Sequence, residues 1–161
     1  MQPIVRLATL SDAALLSSLN ADVQVLHAQA APWLFKPPGS DTFTPAVAST
    51  LLAKPGNLVF IASVGSEPAG YAHAEVLHRA ETPFCHAYDE VHLHAISVQS
   101  AWRRQGVGKA LVEAVRQAAG SRGIALISLG VWSFNAAARA FFREQGFAPY
   151  MERMWNRPGA A

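Results

Sequence analysis

Cysteine is nearly absent from this chain, charge is sparse, and no apolar run is long. The one cysteine among 161 residues, Cys85, rules out an internal disulfide and fits a reducing compartment. Charged residues make up 15% and hydrophobic ones 51%, a balance that argues for a folded core and against disorder. The longest apolar stretches, such as residues 124–132, fall well short of the roughly 20 residues that a membrane span needs. The start, MQPIVRLATLSD, lacks the basic head and apolar run of a secretory signal. A cytoplasmic protein with no membrane partner is therefore expected. Repeats and low-complexity segments are missing too, and 161 residues fit one domain spanning 1–161 with a real core.

What charge there is lies unevenly. Residues 1–100 hold four Lys/Arg against eight Asp/Glu, and residues 101–161 hold nine against three. A basic second part suits a phosphate-bearing ligand. No basic stripe interleaved with aromatics is visible, so nucleic acid is not expected.

Periodicity and turn residues divide the chain into elements. Residues 3–9 read as a strand, and Ser11 or Asp12 caps a helix carrying Leu15, Leu16, Leu19, Val23 and Leu26 on one face. Residues 31–40 contain three prolines and a glycine and form a loop. A second helix is predicted over 45–53, and strands over 57–64, 69–77 and 90–98, the first two as a hairpin. A helix over 107–119, a strand over 124–131, a helix over 135–145 and one or two strands over 147–156 complete the order. This is a mixed α/β (α+β) domain, with about 6–7 mostly antiparallel strands and about four helices.

The informative stretch is WRRQGVGKAL at residues 102–111. Gly106 and Gly108 follow a β-branched strand and open an amphipathic helix, with Arg103, Arg104 and Lys109 close by. Such a turn presents backbone N–H groups to an anion at the positive end of a helix dipole. Gly-x-x-x-x-Gly-Lys-Ser/Thr and the third glycine of a dinucleotide fingerprint are both missing, which disfavours a nucleotide-binding protein.

Together these features resemble the GNAT superfamily of acyl-CoA-dependent N-acetyltransferases. The family signature, Arg/Gln-x-x-Gly-x-Gly/Ala, is met by Arg103-Arg104-Gln105-Gly106-Val107-Gly108, entered through Val98 and Trp102. The run from Asn135 through Ala138, Phe141 and Phe142 to Gly146-Phe147 is similar to its second block, and Val5–Asp12 to its opening. The resemblance implies acetyl-CoA as co-substrate. Its pyrophosphate would rest on the amides of residues 104–109, its pantetheine arm along Ile96, Ser97 and Val98, and Asn135 would face that arm or cap its helix. Phe142 stands beside the cofactor where the family often has a tyrosine acid. It has no proton to give, so either the thiolate leaves without an acid, or Tyr150, Ser133 or water serves, or the catalyst is weak.

Attack by an amine requires loss of its proton. Glu90, His92 and His94 alternate along one predicted strand and so share a side. Histidine, with an ordinary pKa of about 6.5, suits a base at neutral pH. The His92-Leu93-His94 pattern also resembles the arylalkylamine N-acetyltransferase branch, whose strand histidines deprotonate the amine. This ranks His92 and His94 ahead of Glu90. Two histidines at i, i+2 with one carboxylate lack a closed ligand set, so no metal is expected.

The function read from sequence is acetyl transfer from acetyl-CoA to a primary amine by direct attack. The alternative, favoured only by Phe142, is a non-catalytic acyl-CoA-binding or regulatory module. The acceptor is a small amine or a protein N-terminus. Tyr71, Tyr88, Trp33 and Phe35 offer an aromatic pocket, and Glu75, Glu81, Asp89 and Glu90 would attract a cation. The late strands offer a homodimer surface.

Overall fold

A computed structural model describes residues 2–156. Strands β1 (Ile4–Leu7), β2 (Asn57–Val64), β3 (Glu67–Arg79), β4 (Tyr88–Val98) and β5 (Leu126–Leu129) form one sheet in the order β1-β2-β3-β4-β5. The first four pair antiparallel and β5 runs parallel to β4. Helices α1 (Ala13–Leu19), α2 (Ala21–Ala30) and α3 (Pro45–Ala53) lie between β1 and β2, and α4 (Val107–Gly120) makes the crossover from β4 to β5. The chain divides after Gly130 into two compact units, the second containing α5 (Ala136–Glu144). The mixed, mostly antiparallel α/β architecture agrees with the sequence reading.

The period-2 rule explains the two layers of the first unit. Val59, Ile61 and Tyr71 point to one side, where they bury Leu16 and Leu19 of α1 and Ala48 of α3. Leu58 and Phe60 point to the other, facing Ala114 and Ala118 of α4 across a groove of about 340 Å³. Val107, Leu111, Val112 and Val115 recur at helical spacing on the buried stripe of α4. Pro45 at the first position of α3 and the Thr44 side chain, which accepts from Val47 N–H, start that helix.

Two expectations change. The predicted helix after Asp12 is two helices that break at Asn20, whose side-chain oxygen accepts a 2.7 Å hydrogen bond from the Tyr71 hydroxyl. Residues 147–156 hold no strand, so five strands and five α-helices are found among the described residues. Pro149 interrupts this stretch, with no N–H for a ladder and a restricted residue before it.

Gly70 of β3 packs directly against the backbone of β4. A Cβ there would collide with the Ser97 carbonyl and crowd Val98. Because the obstacle is backbone, Gly70→Ala is expected to destabilise the fold by about 2 kcal/mol, read as a lower urea midpoint. An unchanged midpoint would show that the strands part without cost.

Candidate active site

Strand β4 pairs with β3 along its whole length, through register partners from Tyr88↔Arg79 to Val98↔Gly70. With β5 it pairs only from Glu90 to Leu93. Strand β5 ends at Leu129, opposite Leu93, and residues 94–98 have no strand partner on the β5 side among the described residues. A bulge sits at the same place. His73 pairs with Ala95 and Ala74 with Leu93, so His94 is the extra residue. The simple alternation expected of Glu90, His92 and His94 therefore stops at His92, and the bulge aims the His94 ring separately.

The structure still brings the three together and adds partners. The His92 and His94 rings meet edge to face at 4.7 Å, and His73 of β3 stacks on His94 at 4.7 Å. Burial pushes His92 below the ordinary imidazole pKa, and His94 beside it adds to this. Burial takes His73 further, to about 4, again with help from His94. His92 and His73 are thus neutral imidazoles at neutral pH. His94 Nε2 lies 2.9 Å from Glu75 Oε2, and Glu75 Oε1 lies 2.7 Å from Lys54 Nζ. The Lys54 hydrogen bond holds Glu75 below the usual carboxylate range against its partial burial.

Glu90 is 4% exposed. Its Oε1 accepts from Arg79 Nε at 2.8 Å, and its Oε2 accepts from the Ser128 hydroxyl. Burial pulls Glu90 upward, but these hydrogen bonds and the Arg79 charge outweigh it, and the carboxyl ends below its ordinary value. Glu90 is accordingly a fixed anion and a poor base. Ser128 Oγ also lies 2.8 Å from His92 Nδ1, across the His92↔Ser128 register pair.

The glycine turn is built by two left-handed residues, Arg104 at φ 64° and Gly106 at φ 83°. Gly106 caps α4, and the first hydrogen bond from that cap is Ala110 N–H to the Gly106 carbonyl. The amides of Val107, Gly108 and Lys109 consequently have no acceptor within the helix. Arg103 fixes the turn: its Nε donates to the Val98 carbonyl at 3.2 Å, and its guanidinium lies 3.7 Å from Asp22. Arg104, Gln105 and Lys109 are exposed. On β4, Ser97 is buried, its hydroxyl donating to the Leu19 carbonyl, while Ile96 and Val98 are partly exposed.

In the second unit, Asn135 Oδ1 accepts from Ala138 N–H at 3.0 Å and so caps α5. Phe142 is buried, with ring contacts to Phe141 and Phe147. Both residues have structural work there.

The expected acceptor residues fare unevenly. Tyr71 is a core residue, its hydroxyl tied to Asn20 and its pKa raised by burial. Phe35 stacks on His27 at 4.9 Å, and Trp33 and Tyr88 are exposed. Of the four acids, Glu75 and Glu90 are paired with the cations Lys54 and Arg79, which offsets their charge, and Asp89 lies 2.7 Å from His78 Nδ1. Ser128, His73, Lys54 and Arg79 were not read from sequence as parts of the site. For His73 the signal was present: with Glu75 it sits at i, i+2 on the strand paired to the histidine strand.

Among the described residues no group of three or more His, Cys, Asp or Glu could hold a metal, and no helix is long and apolar enough to cross a membrane.

A family model described as acetyltransferase (GNAT) family matches residues 21–147. No curated protein matches the chain in sequence. Among solved structures, a tetramutant of the BH1408 protein from Bacillus halodurans has a TM-score of 0.90 at 20% identity, covering 96% of this chain and 99% of its own. Aminoglycoside N-acetyltransferase AAC(6')-Iy in complex with CoA gives 0.73 at 19% identity, covering 99% of this chain and 96% of its own. An aminoglycoside acetyltransferase from an uncultured soil metagenomic sample, in complex with sisomicin, gives 0.63 at 18% identity, covering 96% and 95%.

Proposed function

Since the chain belongs to the acetyltransferase (GNAT) family, we propose that His92 is the base that deprotonates the acceptor and that the turn at residues 103–109 holds coenzyme A. Acetyl-CoA is the acyl donor and an amine is the acceptor. The observation that supports the residue roles is the end of the β4–β5 ladder at Leu93. The ladder ends one residue after His92, and residues 94–98, about 16 Å of strand, run on toward the glycine turn and the amides of Val107, Gly108 and Lys109 with no strand partner on that side among the described residues.

An anionic pyrophosphate fits those amides at the head of a 14-residue helix, with Arg104 and Lys109 exposed beside it. An extended amide-containing arm fits the open strand at Ile96, Ser97 and Val98, where backbone groups would answer its own.

At the other end, a neutral His92 takes the proton that the amine must lose, and the freed lone pair attacks the thioester carbonyl. The C–N bond forms, the C–S bond breaks, and the thiolate leaves. Phe142 gives no proton to it, and thiolates of this kind leave adequately without one. His94 and Glu90 act beside His92, His94 against its ring and Glu90 through Ser128. The neighbours named for aminoglycosides support a small-molecule amine as the acceptor. The modest free negative charge around the histidines makes a densely cationic one less suited here.

The test is thiol release from acetyl-CoA with tryptamine, spermidine, kanamycin and a peptide bearing a free N-terminus, alongside calorimetric CoA binding. Turnover with at least one amine is expected. Failure to bind CoA would sink the assignment of the turn. The pH profile checks the base. Only neutral His92 accepts a proton, and burial lowers its pKa. The acid limb of kcat should therefore fall below the ordinary value of about 6.5. A limb centred above pH 7 would point to a different base.

A further inference from the structure

Ser128 lies outside the cofactor turn, and its hydroxyl is enclosed between two groups of the site. It is 6% exposed, stands opposite His92 in the β4–β5 ladder, and contacts both His92 Nδ1 and Glu90 Oε2. A hydroxyl has one proton. Glu90, an anion held by Arg79, can only accept, so that proton goes to Glu90. The contact with His92 at 2.8 Å is then a hydrogen bond only if Nδ1 carries the proton and the Ser128 oxygen accepts it. We propose that Ser128 is a positioning residue that relays the Glu90 charge to His92, fixing the Nδ1–H tautomer and leaving Nε2 as the basic nitrogen.

The polarity of the chain is set at its far end. Arg79 donates to Glu90, Glu90 accepts from Ser128, and Ser128 accepts from His92, so every proton has one place. When Nε2 takes a proton, the imidazolium keeps its Nδ1–H on Ser128 while the Glu90 carboxylate, one hydroxyl away, offsets the new charge. The other charged or titratable groups around His92 are His94 on the same strand, and Glu75, His73 and Arg79 on β3, with Lys54 beyond Glu75. Of these, His94 is tied to Glu75 through Nε2, so the two neighbouring imidazoles are anchored through opposite nitrogens.

This inference rests on the assignment of His92 as base, and the test separates the two. Nitrogen-15 spectra of histidine-labelled wild type should show His92 with a protonated Nδ1 and an unprotonated Nε2 at pH 7.5. In Ser128→Ala the tautomers should mix or invert, and kcat should drop about tenfold with the acetyl-CoA KM unchanged, measured with the panel amine turned over fastest. Ser128→Thr, which keeps a hydroxyl on a β-branched side chain suited to a strand, should restore both the spectrum and most of kcat. In Glu90→Gln the amide has donors as well as an acceptor and can reverse the chain, so the Nε2–H tautomer should appear. Wild-type spectra with Nε2–H would overturn the relay without any variant. So would Ser128→Ala with an unaltered His92 spectrum and kcat. If His92→Ala keeps full activity while the spectra behave as described, the base assignment fails and the relay stands as a structural feature.

Discussion

Replacing His92 with alanine is expected to lower kcat by about a hundredfold or more and to leave the acetyl-CoA KM nearly unchanged. The reasoning runs through three neighbours that differ in what they can do. Glu90 is a carboxylate held low by Ser128 and Arg79, so it has little affinity for another proton. His73 has a depressed pKa of about 4, and its Nε2 is buried with no hydrogen-bond partner. His94 is the real competitor, with a side chain 37% exposed and one nitrogen committed to Glu75. His92 combines partial burial, a neutral ring and a hydrogen-bonded orientation one residue before the β4–β5 ladder ends. His94→Ala should therefore cost much less, roughly tenfold or under, by loosening the ring that leans on His92. Imidazole added to His92→Ala should recover part of the rate, because the cavity left is the size of the missing base. Full activity in His92→Ala together with collapse in His94→Ala would exchange the roles of the two.

How much of this was legible in the sequence depended on whether the signal was local. The turn at residues 103–108 could be read because a β-branched strand, two glycines and a helical stripe stand next to each other. The His92/His94 pair could be read because a strand has a period of two. What sequence did not reveal was the bulge at His94, which depends on how β3 pairs with β4 and leaves no mark on β4 alone. Ser128 was hidden for a similar reason. Its partner lies 36 residues away across a parallel ladder whose register is set by the α4 crossover, and a lone serine in an apolar strand looks like any other. Glu75 and Glu90 were visible as charges, but their neutralisation by Lys54 and Arg79 was not, and this reverses what they say about a cationic acceptor. The stretch 147–156 erred the other way. It was expected to return as one or two strands, yet it is irregular around Pro149, with Tyr150, Met151, Met154 and Trp155 exposed.

The second large effect is expected at the turn. Gly106→Trp should weaken CoA binding by at least about a hundredfold, since losing two hydrogen bonds to a charged group costs about 3 kcal/mol or more. Two independent causes act at this position. Gly106 has φ 83°, a conformation in which any side chain is strained by roughly 1–2 kcal/mol. Nothing lies within 4 Å of where its Cβ would stand, so the strain is not compounded by a clash and the variant should still fold. Gly106 directly precedes the free amides of Val107, Gly108 and Lys109, so an indole there is expected to crowd an anion bound to them. Gly106→Ala separates the causes, because it carries the strain with almost none of the bulk. It should lower the melting temperature as much as Gly106→Trp while keeping most of the CoA affinity. Calorimetry with CoA and with dephosphorylated pantetheine locates the loss: pantetheine, which has no pyrophosphate, should bind wild type and Gly106→Trp with similar weak affinity. Equal loss for both ligands would mean that the tryptophan disturbs the open strand at residues 94–98, and the pyrophosphate would then have to be held elsewhere.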